Sequence, residues 1–221
     1  MNPKTIILSL VFLIIIKSHD GNAQSIEPLK EINSYTTTLF ANHLEFSKDG
    51  QYLIIVVGFN AEVYQKKDNG FQLFQKLKGG SFQAYYPGIS DDGSFVAFSN
   101  NDETFIFKKA NDNYTLFQIL KHAGKYGNHD IVMRFIGNES LIIVGGEGNI
   151  RFYDLKENSF VETGRIGNLE GLPFKAAALS PNNKSLATIN DNGMVYCWQI
   201  NKNSALPSNS LLTTAKYSGF L

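Results

Sequence analysis

The sequence predicts an all-β fold, a β-propeller of four-stranded antiparallel blades with about four blades or a partial ring. Three observations predict it. The segment FSKDGQYLIIVVGFNAEVYQ from Phe46 recurs as ISDDGSFVAFSNNDETFIFK from Ile89, FIGNESLIIVGGEGNIRFYD from Phe135 and LSPNNKSLATINDNGMVYCWQ from Leu179, at spacings of about 43, 46 and 44 residues. A period of this length belongs to stacked units rather than to one irregular domain. Each copy also reads strand, tight turn, strand, tight turn, strand, with Gly or Asn where the chain reverses. Finally, YLIIVV and LIIVGG are apolar on consecutive residues. Neighbouring residues of a strand point to opposite sides, so such a run needs cover on both faces, whereas a two-layer sandwich leaves alternate residues wet.

Taken in order, the chain opens with Met1 to Lys4 and the apolar run IILSLVFLIII from Ile6 to Ile16, followed by a polar stretch ending in Gly21, Asn22 and Ala23. That pattern is a secretory signal with a cut before Gln24, the run of about 11 residues being short for a membrane span of roughly 20. Residues 1–23 are therefore expected to leave, with 24–221 forming the propeller domain, secreted or in the lumen of the secretory pathway and not in a membrane. IEPLKEI, from Ile26, is a short candidate strand that Pro28 confines to an edge. It is available to close a small ring as the fourth strand of the last unit.

The repeating units fall at about 43–77, 84–120, 129–166 and 174–200. In the first, HLEF, YLIIVV and AEVYQ form three strands and FQLFQKL an outermost fourth. The second repeats this down to its fourth strand, YTLFQIL. The third closes with SFVETGRI. The fourth runs KAAALS, SLATIN and MVYCWQI, after which NKNSALPSNS reads as loop. Four-stranded sheets that need cover on both faces are satisfied by standing side by side around an axis.

The positions Tyr64-Gln65, Phe107-Lys108, Tyr153-Asp154 and Trp198-Gln199 end the third strands, and SKDG, SDDG and SPNN make first turns. In these features the chain from about Leu44 to Ile200 resembles the WD-repeat family, which ends its third strand in Trp-Asp and favours Ser-Pro-Asp-Gly in that turn. Asp102 and Asp191 match the family's Asp before strand three, while the Gly-His pair that opens such repeats is missing. Propellers of the YVTN and TolB type, with Ser-x-Asp-Gly turns, fit the same residues. The resemblance implies a propeller fold.

Composition narrows the function. With 20 basic and 20 acidic side chains the chain has no net charge to attract a polyanion, which speaks against a nucleic-acid partner. The single cysteine, Cys197, allows no internal disulfide, and its setting in VYCWQI suggests a buried thiol. No Gly-x-Ser-x-Gly elbow, His-Glu-x-x-His pair, phosphate loop or Cys/His cluster occurs. Asp91-Asp92 reads as turn chemistry, and Glu45, Glu103 and Glu147 recur near strand ends without a defensible acid and base pairing. No catalytic residue, metal ligand or cofactor is expected.

Sequons stand at Asn113, Asn138 and Asn183, which an up-and-down blade brings to one end. The opposite end carries the connections between blades, with Phe82, Tyr85, Tyr126, His129, Leu172 and Phe174 as candidate binding residues for a protein partner. The expected function is a non-catalytic protein-binding or scaffold propeller. A hydrolase or lyase with a site in the central channel, and a truncated copy without function, stand as alternatives.

Overall fold

The computed structural model describes residues 41–212 apart from 69, 82, 101, 122–129, 168–172, 202 and 203. The signal segment, IEPLKEI and the last nine residues lie outside them. The first sheet holds β1 (Ala41–Phe46), β2 (Tyr52–Val57), β3 (Asn60–Lys67) and β4 (Gly70–Lys78). The second holds β5 (Tyr85–Ile89), β6 (Phe95–Ser99), β7 (Glu103–Ala110) and β8 (Asn113–Lys121). The third holds β9 (Asp130–Ile136), β10 (Ser140–Gly145), β11 (Ile150–Lys156) and β12 (Ser159–Ile166). The fourth holds β13 (Phe174–Leu179), β14 (Ser185–Asn190), β15 (Met194–Asn201) and β16 (Ser204–Leu212). Every sheet is antiparallel and up-and-down, with strands paired in chain order. The fold is all-β and propeller-like.

The last unit is longer than its sequence reads. NKNSALPSNS contributes to β16, which pairs with β15 from Asn201↔Ser204 to Met194↔Leu212, so the fourth sheet needs no strand from elsewhere. Pro207 disguises this strand, yet proline is tolerated on the outermost strand of a sheet.

The first turns explain why Ser-x-Asp/Asn recurs. Ser47 Oγ donates to Asp49 at 2.6 Å and accepts from the Tyr52 amide at 2.9 Å, while Asp49 accepts from the Gln51 amide at 2.9 Å. The same set joins Ser90, Asp92, Ser94 and Phe95, and again Ser180, Asn182, Lys184 and Ser185. Two short side chains thus satisfy the backbone amides that a two-strand reversal leaves unpaired. Gly93, at φ +69, has no room for a Cβ, which would meet the Tyr52 ring at 2.5 Å.

Side-chain alternation then divides β6 and β10, in the second and third sheets, between two neighbours. Ile54 and Val56 of the first sheet pack with Val96, Phe98 and Phe107 of the second. Phe95 and Ala97, on the other side of β6, pack with Leu141, Ile143 and Phe135 of the third. Ile142 and Val144 face the opposite way, onto Leu186, Tyr196 and Trp198 of the fourth. The second and third sheets are therefore dry on both faces, as the consecutive apolar runs require.

Two seams carry an added clamp. Gln75 Nε2 donates to the Tyr114 carbonyl at 2.9 Å and Gln75 Oε1 accepts from the Tyr114 amide at 2.7 Å. Gln118 repeats this on Phe160, at 3.0 and 2.7 Å. At the register position of these glutamines the third sheet has Gly164, paired with Phe152 as Gln75 pairs with Val63 and Gln118 with Ile106. The first turns are also bridged, Lys48 Nζ to Asp91 at 3.0 Å, and the Asp91 and Asp92 amides to Gly137 O and Asn138 Oδ1 at 3.2 Å. Between the third and fourth sheets, at the turn end, lies instead a cleft of about 260 Å³ lined by Ser140, Asp154, Asn182, Asn183 and Lys184 with apolar neighbours.

Inner strands meet in succession, β1 with β5, β5 with β9 and β9 with β13. Among the described residues three apolar clusters fill the three seams, and none joins the fourth sheet to the first.

Candidate functional site

Inner strands of adjoining blades converge, so the side chains at their exposed edge are brought together from distant points of the sequence. From β1 come His43 and Glu45, from β5 Tyr86, and from β9 Arg134. His43 and Tyr86 face each other with ring centroids 4.1 Å apart. Arg134 Nη1 donates to Glu45 Oε1 at 2.7 Å, a pair that links the first sheet to the third past the second. The two partners differ in environment, the Glu45 side chain being 11% exposed and that of Arg134 44%. Burial pushes the Glu45 carboxyl up to about 8, the Arg134 guanidinium pulling it back only in part. Burial, and then the neighbouring Tyr85, also pushes the Tyr86 phenol up.

This arrangement can hold a proton on a carboxyl at neutral pH beside a fixed cation. The ion pair as drawn uses one donor of the arginine fork, leaving the half-exposed guanidinium with capacity for a second acceptor.

The predicted binding residues fare unevenly. Phe174 is a correction: at 4% exposure it lies in the apolar cluster between the third and fourth sheets with Tyr196 and Trp198, and is not an exposed anchor. It opens β13 directly below the connection, where a large apolar side chain caps the core. Tyr85 is half-buried and stacks on Tyr86 at 6.4 Å. Phe82, Tyr126, His129 and Leu172 lie outside the described residues.

The connection end does present an aromatic ring that the sequence reading passed over. Phe59, in the β2–β3 turn, is 51% exposed. The Ala84 amide donates to the Gly58 carbonyl at 2.8 Å, which ties this turn to the connection between the first and second sheets. Gly79 approaches so closely that a Cβ there would lie 2.2 Å from the Phe59 carbonyl oxygen. The signal for Phe59 was its place beside Gly58, in a turn where no strand packing calls for a phenylalanine.

At the other end, Asn113 follows the β7–β8 turn, and Asn138 and Asn183 lie in the β9–β10 and β13–β14 turns. Up-and-down strand order puts all of these at one end of the sheets. Asn113 and Asn138 are exposed and Asn183 half-buried at φ +58. Of the acidic residues noted by sequence, Asp92 serves its turn. Burial raises its carboxyl, but hydrogen bonds from Ser94 and Ser90 outweigh that and hold it below the ordinary carboxylate value. Glu103 begins β7 beneath Asn100, whose Oδ1 accepts the Asp102 and Glu103 amides at 2.8 and 2.7 Å. Glu147 stands 3.7 Å from Arg151. Neither joins Glu45. Cys197 is half-buried rather than buried, because it alternates away from the seam that takes Tyr196 and Trp198.

Compared with known proteins, the chain matches no protein-family model and finds no match among curated proteins.

Proposed function

We propose that this chain is a non-catalytic propeller-like module that binds another protein through the end carrying the connections between sheets, in the secretory pathway or outside the cell. The observation that carries the reading is Phe59, a large ring half out in water at that end, held by a turn pinned to the adjoining connection. Exposed rings on rigid elements are the usual anchors of protein interfaces, since they bury large area at small entropic cost. Tyr85, the first residue of β5, stands at the same end, and by sequence alone Phe82, Tyr126, His129 and Leu172 fall in the connections between units. The sequons at Asn113, Asn138 and Asn183 lie at the opposite end, where glycans leave the docking end bare. The apolar run Ile6–Ile16 supports export. Among propellers, the strand-three endings and Ser-x-Asp-Gly turns favour a divergent WD-repeat kind.

The test is retention of partners from culture medium by the immobilised chain, compared with Phe59→Ala at equal loading and unchanged melting. Loss of a retained protein by roughly tenfold or more fits an anchor worth over 1 kcal/mol. Equal retention by the variant overturns the reading.

A hydrolase or lyase has one observation in its favour, the Glu45 carboxyl that burial pushes up to about 8. Hydrolysis of any substrate by the wild type that Glu45→Gln abolishes selects it.

A further inference from the structure

Arg134 is the one guanidinium among the inner strands, and its surroundings are unbalanced. It reaches from β9 to Glu45 of β1 and uses Nη1 alone, at 2.7 Å, while its side chain stays 44% exposed. No other hydrogen bond or ion pair of this guanidinium occurs among the described residues. An arginine fork offers five donors in a plane and pairs best with two oxygens at once, so a single contact leaves its preferred geometry unfilled. Among the described side chains no second anion pairs with it. β5 reads YYPGI, with no charged residue, and brings the Tyr86 ring; β1 adds His43. On β13 the charged residue is Lys175, held by Asp191 at 2.9 Å. Asp130 shares β9, its side chain outside the description. Glu45 itself is mostly buried and, with its carboxyl pushed up to about 8, neutralises Arg134 poorly at pH 7.

We propose that the exposed fork of Arg134, held at one nitrogen by Glu45, is a binding site for a carboxylate presented by a ligand or partner. A carboxylate suits it better than phosphate. One fixed cation balances one charge, and a planar carboxylate offers the fork two oxygens at once while costing less to desolvate than a divalent ion. The site differs from the Phe59 end and stands or falls without it.

The pH dependence follows from Glu45. Below about 8 its proton keeps it from competing, and the fork is open to an added carboxylate. As pH rises through that value the ionised Glu45 takes the guanidinium, and affinity for the added anion falls.

The chain has three arginines, Arg134, Arg151 and Arg165, so their guanidinium carbon signals are separable by NMR. Arg165, held by Glu162 through two hydrogen bonds at 2.7 and 2.8 Å, is the internal control. The probe is sodium acetate, titrated against chloride at constant ionic strength, with inorganic phosphate in a parallel arm. The expected result is a saturable shift of the Arg134 signal with acetate near neutral pH, a linear or absent shift of Arg165, and weaker acetate binding by about tenfold near pH 9.5. Glu45→Gln keeps the acetate response at both pH values. A non-saturating Arg134 signal, a response to phosphate alone, or pH dependence that persists in Glu45→Gln overturns the proposal.

Discussion

At the scale of single residues, the polar groups that matter are those the fold has taken out of water. Ser90 is fully buried and accepts the Phe95 amide at 2.8 Å, so Ser90→Ala leaves that amide without its acceptor. Denaturant unfolding is expected to show a loss of about 1–3 kcal/mol. Glu45 acts in the opposite sense. Below 4.5 its carboxyl is protonated in both folded and unfolded chains; between 4.5 and about 8 the unfolded chain releases the proton and the folded one keeps it. Its contribution to stability is therefore lost as pH rises through that window. Glu45→Gln gains relative to the wild type by on the order of 2–4 kcal/mol between pH 4.5 and 8, read from melts along a pH series. A constant difference between the two contradicts the burial argument. Asp92 has the ordinary sign, its depressed carboxyl stabilising the fold above its unfolded value and ceasing to do so in acid.

At the scale of elements, strands were legible where chemistry repeats and obscure where it does not. Consecutive apolar runs made β2 and β10 plain, because such a run has few places to go other than between two sheets, and the Ser-x-Asp or Ser-x-Asn turns marked β2, β6 and β14. β16 was hidden because an outermost strand has one bonded edge and tolerates Pro207 and polar residues. The site was less legible still. His43, Glu45, Tyr86 and Arg134 lie on three strands, and Glu45 and Arg134 are 89 residues apart, so nothing local in the sequence announces the pair. Phe174 misled for a related reason, since a connection end and a core cap have the same composition when read along the chain.

The seams give an element-scale prediction. Gln75 and Gln118 clamp the first and second seams, whereas Gly164 leaves the third without one. The fourth sheet is expected to exchange its amide hydrogens before the second and third. Gly164→Gln, placed opposite the Ala205 backbone that matches Tyr114 and Phe160 in register, should slow that exchange and raise stability by about 1 kcal/mol. Faster exchange of the fourth sheet in the variant contradicts the clamp.

At the scale of the whole molecule, the account is one of faces. Each sheet is thin, and the middle strands of the second and third sheets present alternate side chains to the sheet before and the sheet after. The arrangement explains the period, the apolar runs and the location of both ends, one with first turns and sequons, the other with connections and Phe59.

Methyl-to-ring nuclear Overhauser contacts along β10 test this division most directly. Leu141 and Ile143 methyls are predicted to see rings of their seam with the second sheet, Phe95 among them, while Ile142 and Val144 see Tyr196 and Trp198 of the fourth. Contacts from all four residues to the same rings, or water signals at either set, contradict it.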